Sequence, residues 1–378
     1  MAIMYKRTLE DTIKKNLFNN KIIILYGPRQ VGKTTLVKKI FDDFDGEKAY
    51  IQCDIPSQRK QIAEPEPSKI MEYFKGKKLI IIDEAQLVEN IGVVLKTFFD
   101  TYPEVQIIAT GSSSFDLANK IREPLTGRAY EYMLYPLSVE EIIENESYSD
   151  FLSKQDIYMS YGFYPGLINK NNDEKEQYLS MLQNNTFYKD ILTLENIKKP
   201  KVLENLILLL AQNIGSDLNT NNIAKDIQTD NKTVDRYLNI LEKMFVIYRL
   251  YGYSNNLANE IRKGYKVYFT DIGIRNSVLN DYNTVGNRMD TGGLFENFVI
   301  SERIKYLSNN GTICNKFFWR DKKQNEVDYI EVRNGDVNAY EFKYGDRNSK
   351  SINIFKDTYP QADAKIISKD NYLDIVKS

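Results

Sequence analysis

Apolar and polar positions in this chain follow different periods in different stretches, and the changes of period mark its parts. Through residues 1–135, short apolar runs at 22–26, 49–52, 79–82, 105–109 and 129–134 are separated by stretches of helical spacing. Continuous apolar runs bounded by turns predict strands buried on both faces, and their alternation with helices predicts an α/β fold with a parallel sheet. The opening stretch MAIMYKRTLEDTIKKNLF predicts an amphipathic helix. In YPLSVEEIIEN, Ser138 and Glu141 have capping-box spacing and start a helix. A Tyr-rich helical region then runs to about Lys199, broken at Gly162–Pro165, with the polar stretch NKNNDEKEQ (169–177) as its expected exposed loop.

The pattern changes again over residues 200–250. A Leu/Ile helix from Val202 to Ile214 ends at Gly215, a short helix covers Asn221–Ile227, and Asp230 can cap a third helix. That helix places Val234, Tyr237, Leu238, Leu241 and Phe245 on one face. FVIYRLYGY then reads as a strand. Three helices and a strand in this order predict a winged helix-turn-helix, with Lys232, Thr233, Arg236, Asn239 and Lys243 as candidate DNA contacts. Acidic and basic residues nearly balance in this segment, so DNA binding there is expected to be weak and salt-sensitive.

The first apolar run carries the chemistry. KIIILYGPRQVGKTT (21–35) is a buried strand running into Gly27, with Gly32, Lys33 and Thr34 at P-loop spacing before a helix that starts near Lys33. Backbone N–H groups of such a loop, with a helix N-terminus behind them, cradle nucleotide phosphates. The loop Gly27, Pro28, Arg29, Gln30, Val31, Gly32, Lys33, Thr34, Thr35 is therefore the candidate nucleotide site. Lys33 would reach the β- and γ-phosphates, and Thr34 would ligate Mg²⁺. The strand in KKLIIIDEAQ (77–86) ends in two acids. Asp83 stands where a Walker-B Asp holds Mg²⁺, and Glu84 is placed to act as general base toward water. After Val105–Ala109 come Thr110, Ser112 and Ser113, hydroxyl side chains where a γ-phosphate sensor would sit. Arg122 and Arg128 are the nearest candidates to neutralise charge on that phosphate.

Composition removes whole classes of function. Among 378 residues there is no histidine, which excludes His triads, His metal sites and His proton shuttles. Cys53 and Cys314 stand without CxxC spacing, so disulfide and zinc roles are not expected. A formal charge of −1 excludes a generally basic nucleic-acid coat. No apolar run approaches the ~18 residues of a membrane span, and a cytoplasmic protein without membrane contact is expected.

A second constellation lies near the C-terminus. GGLFENFVISERIKYL (292–307) reads as a helix, KFFWR (316–320) as a strand, and NEVDYIEVRNGDVNAYEFK (325–343) as a hairpin around Asn334–Gly335. With that turn, Asp328 falls opposite Glu341, their Cβ atoms about 5 Å apart. Lys343 points to the same face as Glu341, and Ile330, Val332, Val337 and Ala339 make the rest of that face apolar. Paired carboxylates there need a counter-charge. Lys343 supplies part of it, and a divalent ion such as Mg²⁺ or Mn²⁺ would supply the rest, held by Asp328 and Glu341 with Glu296 from the preceding helix. Lys343 would then be the catalytic lysine. A helix (349–358) and a strand (365–368) follow.

Helix–strand–strand–strand–helix–strand, with D…ExK on Asp328, Glu341 and Lys343, resembles the PD-(D/E)XK nuclease fold. Taken whole, GPRQVGKTT, LIIIDEAQ, ATGSSS, LTGRAYEYMLYPLS, YFTDIGI, LFENFV and NEVDYIEV…EFK resemble a family of prokaryotic AAA-superfamily ATPases. The resemblance implies a P-loop ATPase domain (1–135), a helical lid or linker (136–199), a winged helix-turn-helix (200–255) and a smaller restriction-endonuclease-like α/β domain (256–378). It implies ATP rather than GTP, and leaves room for a homo-oligomer in which a neighbour's Arg completes the ATP site. Two functions remain open: an ATPase coupled to metal-dependent DNA cleavage, or a nucleotide-switched regulator that grips DNA or a partner through an inactive nuclease-like domain. A small-molecule kinase is disfavoured, because a winged helix follows the P-loop domain in place of a substrate pocket.

Overall fold

The computed structural model describes residues 5–63, 68, 74–112, 124–184, 199–253, 264–345 and 348–377. The chain forms two compact units: Met1–Leu137 with Lys243–Phe245, and Ser138–Glu242 with Val246–Ser378.

In the first unit, β1 (Ile22–Tyr26), β2 (Lys48–Gln52), β3 (Leu79–Asp83), β4 (Gln106–Gly111) and β5 (Ala129–Met133) form one sheet in the order β2-β3-β4-β1-β5. Every neighbouring pair is parallel. β1, β3 and β4 are buried along their whole length, as their Ile-rich runs require for strands covered on both faces. The helices Lys33–Asp43 and Ile91–Thr101 bury Leu36, Val37, Ile40, Val94, Leu95 and Phe98. An N-terminal helix, Thr8–Lys15, buries Leu9 and Ile13 on its apolar stripe. Because the strands share one direction, the carboxyl ends of β1, β3 and β4 open on the same edge. β4 lies between the other two, with Leu25 beside Thr110 and Ile82 beside Ala109. The loops that follow these strands therefore meet.

The second unit begins with helices Val139–Asn145 and Tyr148–Tyr161, the former started by the Ser138–Glu141 capping box. The polar stretch 169–177 is not a loop throughout. Asn171 and Glu174 close a second capping box, and Asn172–Met181 is a helix with Leu179 buried. Pro200–Gln212, Thr220–Asp226 and Asn231–Lys243 are the three helices expected in that region. Asp230 Oδ1 accepts the Thr233 N–H at 2.9 Å at the start of the third.

Among the described residues, seven strands form one sheet in this unit: β6 (Asp217–Leu218), β7 (Ile247–Gly252), β8 (Tyr265–Phe269), β9 (Asn315–Arg320), β10 (Glu326–Arg333), β11 (Asp336–Lys343) and β12 (Asp363–Ser368). Their order is β12-β11-β10-β9-β7-β8-β6. β7 pairs antiparallel with β8 and parallel with β9, so the strand expected to be the wing belongs to the same sheet as the C-terminal hairpin. The boundary expected at residue 255 thus falls inside a continuous sheet. The hairpin has the predicted register, from Arg333–Asp336 to Tyr329–Tyr340, turning through Asn334 and Gly335 at φ 52° and 94°. Beyond that the ladder changes. β10 shifts register against β9 between Val327 and Ile330, and both of these side chains enter the same apolar cluster.

A nucleotide cradle and a buried acid cluster

The P-loop is shaped by close approach. A Cβ at Gly27 would overlap the Leu134 carbonyl oxygen, and Gly32 at φ 97° is the N-cap of the helix Lys33–Asp43. The Arg29, Gln30 and Thr35 side chains are exposed, while Pro28 and Val31 are buried. Lys33 Nζ donates to the carbonyls of Gly27 and Pro28, each at 2.8 Å, and the residue is 5% exposed. Burial lowers its ammonium to about 8, against the pull of Glu84 and Asp83. A phosphate in the loop would give this cation the counter-charge that the carbonyls supply only as dipoles.

Asp83 is the hub of the acids and hydroxyls. Its Oδ2 accepts from Thr34 Oγ1 and from the Tyr50 hydroxyl, both at 2.8 Å, and its Oδ1 accepts from Thr110 Oγ1. The Thr34 hydroxyl and an Asp83 oxygen thus stand together, a hard-oxygen pair that fits Mg²⁺ beside a bound phosphate. Glu84 has left-handed backbone, φ 54°, and its N–H donates to Thr110 Oγ1 at 3.2 Å. Its carboxylate accepts from Gln86 Nε2, which also donates to Ser112 Oγ at 3.1 Å. The strand end, the acid and the hydroxyl expected as sensor are therefore tied together through Gln86.

Sequence reasoning missed Tyr50, Gln86 and Arg7. Arg7 Nη1 donates to the Val31 carbonyl at 2.8 Å and Nη2 to the Tyr135 carbonyl at 2.7 Å, pinning the loop from below. Tyr50 and Arg7 become visible only once strand order and chain path are known. Gln86, two residues after Glu84, was within reach of the motif. One expectation is corrected. Arg128 precedes β5 at the end where β1 begins, its carbonyl accepting the Ile22 N–H, and its guanidinium pairs with Asp100 at 2.8 Å. A five-residue strand puts about 16 Å between that end and the P-loop, so Arg128 does not line the nucleotide site of its own chain. Ser113 and Arg122 lie outside the described residues.

In the second unit, Glu296, Asp328, Glu341 and Lys343 fall in one region with a residue the sequence did not single out, Lys266 on β8. Its side chain is 1% exposed. Lys266 Nζ donates to Glu326 Oε1 and lies 3.5 Å from Glu296 Oε1 and 3.9 Å from Asp328 Oδ1. Burial alone would lower this ammonium, but Glu296, Asp328 and Glu326 together outweigh it and raise its pKa. The acids have further donors. Tyr268 donates its hydroxyl to Glu296 Oε1, Arg320 Nε donates to Glu326 Oε2 at 2.6 Å, and the Phe342 N–H donates to Asp328 Oδ2 at 2.8 Å. Glu341 turns to Lys343, at 2.8 Å, and its other oxygen is buried without a hydrogen-bond partner. Burial, with repulsion from Asp328, pushes Glu341 up to about 7, and burial pushes Glu296 up to about 8 against Lys266.

The expected divalent site of Glu296, Asp328 and Glu341 does not fit this arrangement. A metal needs acid oxygens turned to one open point, whereas Glu296 and Asp328 turn to an ammonium and Glu341 to a second one. Among the described residues no group of three acid or thiol side chains is placed to hold a metal ion. Lys343, expected to supply part of the counter-charge, pairs with Glu341, while Lys266, which the sequence did not single out, stands among Glu296, Glu326 and Asp328.

The five-stranded parallel sheet with its phosphate loop at the end of β1 fits a P-loop NTPase core. Residues 19–143 match the profile of a family described as an AAA domain. Residues 153–284 and 291–375 match two families described as domains of unknown function. An uncharacterised protein of Haemophilus influenzae is 25% identical over 369 residues, covering 89% of this chain and 87% of its own. One of Methanocaldococcus jannaschii is 26% identical over 347 residues, covering 86% and 75%. AMPPCP-bound DnaA from Aquifex aeolicus has a TM-score of 0.34 at 16% identity, covering 64% of this chain and 89% of that one. No described helix is long and apolar enough to cross a membrane.

Proposed function

We propose that this chain binds ATP with Mg²⁺ at residues 27–35, hydrolyses it, and uses the nucleotide state to govern binding of DNA or a protein partner by its second unit. The observation that carries the reading is Asp83, whose carboxylate gathers Thr34, Thr110 and Tyr50 beside the buried Lys33. Mg²⁺, when bound, would offset phosphate charge and polarise the γ-phosphoryl oxygens. Lys33 would move from the Gly27 and Pro28 carbonyls to the β- and γ-phosphates, and Thr34 and Asp83 would hold the ion. Glu84 would accept a proton from the attacking water, with Gln86 and Ser112 setting its carboxylate.

Two substitutions test this. A charge-assisted hydrogen bond is worth about 1.5–3 kcal/mol, so Lys33→Ala should weaken ATP binding roughly ten- to 150-fold by calorimetry. Glu84→Gln keeps shape and should leave binding intact while turnover falls by about 10²–10⁴. Unchanged affinity in the first variant, or near-wild-type turnover in the second, removes that residue from its role.

For the second unit, the exposed Lys232 and Arg236 on the helix Asn231–Lys243 support a modest DNA-binding face. The occupied acid cluster favours a gripping or regulatory domain over one that cuts.

A further inference from the structure

We propose that Lys266 is the resident cation of the C-terminal acid cluster and that its ammonium closes this site to divalent metal ions. The inference deepens the regulatory reading of the second unit and does not depend on the ATPase reading of the first.

Three carboxylates this close together, Asp328 buried and Glu296 and Glu326 half-buried, are stable only with compensating positive charge, and a buried ammonium is stable only among acids. Lys266 meets both needs at once, reaching Glu296, Glu326 and Asp328 from a strand that none of them belongs to. A dipositive ion placed among the same oxygens would sit within a few ångströms of that ammonium, where a protein interior screens like charges poorly. Nor can the lysine easily step aside. Its side chain is 1% exposed and its ammonium also lies 5.5 Å from the centre of the Phe318 ring. Further donors hold the same acids: Tyr268 on the Glu296 Oε1 that faces Lys266, Arg320 on Glu326 Oε2 and the Phe342 amide on Asp328 Oδ2. A metal would have to displace a set of donors, not one.

The acid–acid–lysine pattern of β10 and β11 is therefore built into an internally neutralised cluster. It joins the helix Thr291–Asn309 to β8 and β10 in place of presenting an open metal site. Deleting the amine should reverse this. Without Lys266 the acids lack their counter-charge, and hard oxygens so close together should take up a divalent ion.

Mn²⁺ binding, followed by electron paramagnetic resonance and thermal melting, tests the idea in the full chain carrying Thr34→Val and Asp83→Asn, which silence the P-loop. That protein should take up no Mn²⁺ at millimolar ion and show no shift in melting temperature. Adding Lys266→Ala should lower the melting temperature, create a Mn²⁺ site that restores it, and lose that site again with Asp328→Asn. The proposal is overturned if the protein with Lys266 binds Mn²⁺ and loses it on Asp328→Asn, a comparison that stands even if Lys266→Ala fails to fold. It is equally overturned if Lys266→Ala folds and still binds no Mn²⁺.

Discussion

Asp271 shows how much one buried carboxylate can organise. Its Oδ2 accepts the Phe163 N–H at 2.9 Å, while Oδ1 accepts from Gly273 and Ile274 at the start of the helix Ile272–Leu279. Acceptors are needed on both sides, which an amide cannot provide. Asp271→Asn would turn an NH₂ toward one of these donors, and should cost about 1–3 kcal/mol in urea unfolding at low pH. The pH dependence has a definite sign. Burial raises the Asp271 pKa above 3.8, against Lys305 and the amides. A carboxyl with a raised folded pKa favours the folded state below its unfolded pKa and loses that advantage as pH rises through the folded one. The stability gap between wild type and Asp271→Asn should therefore narrow as pH increases from about 4. A gap that widens would mean the carboxylate is stabilised, not strained, by its surroundings.

At the scale of elements, the helix Ile272–Leu279 and the end of the helix Tyr148–Tyr161 meet without room for a side chain. A Cβ on Gly273 would overlap the Tyr161 carbonyl oxygen, and one on Gly162, at φ 78°, would overlap Asp271 Oδ1. Gly273→Ala must push the two helices apart, a loss of about 1–3 kcal/mol expected for overpacking, readable as a lower urea midpoint with unchanged slope. Wild-type stability in that variant would show that the contact yields freely. Strands and hairpin were legible because their signals are local: Ile runs for β1 and β3, Asn334–Gly335 for the turn. The Gly162–Asp271 contact was not, since nothing in either segment points to the other. The stretch 169–177 misled for a related reason. Its helix, Asn172–Met181, buries little besides Leu179, so it lacks the apolar stripe that reveals a helix, and only the Asn171–Glu174 cap marks it. In the candidate nucleotide site, the gathering of Lys33, Thr34, Asp83 and Glu84 was readable from motif spacing, whereas Tyr50 needed the pairing of β2 with β3.

The whole molecule carries a formal charge of −1, so any DNA affinity must come from a local face. On the helix Asn231–Lys243, Lys232 and Arg236 are exposed, but Asn239 accepts from Arg249 at 2.6 Å and Thr233 is bonded to Asp230. The available contacts are thus fewer than the helix pattern suggested. If Lys232 and Arg236 each meet a phosphate, replacing both with Ala should weaken duplex binding and reduce its salt slope by about 2. Fluorescence anisotropy across a salt series measures this. An unchanged slope would clear that helix of DNA contact and leave a protein partner as the better reading. The sheet from β6 to β12 sets a second large-scale constraint, because β7 lies between β8 and β9. A winged-helix fragment ending near residue 255 would carry β7 away from both neighbours and expose unpaired strand edges.

The grip of Arg7 on the Val31 and Tyr135 carbonyls bears on how the first unit can be isolated. The match to the AAA family begins at residue 19, an inviting place to start a shortened protein. Such a protein would lack Arg7, and the Val31 and Tyr135 carbonyls would be left to find water. A weak nucleotide affinity measured on it would report the missing arginine, not the loop sequence.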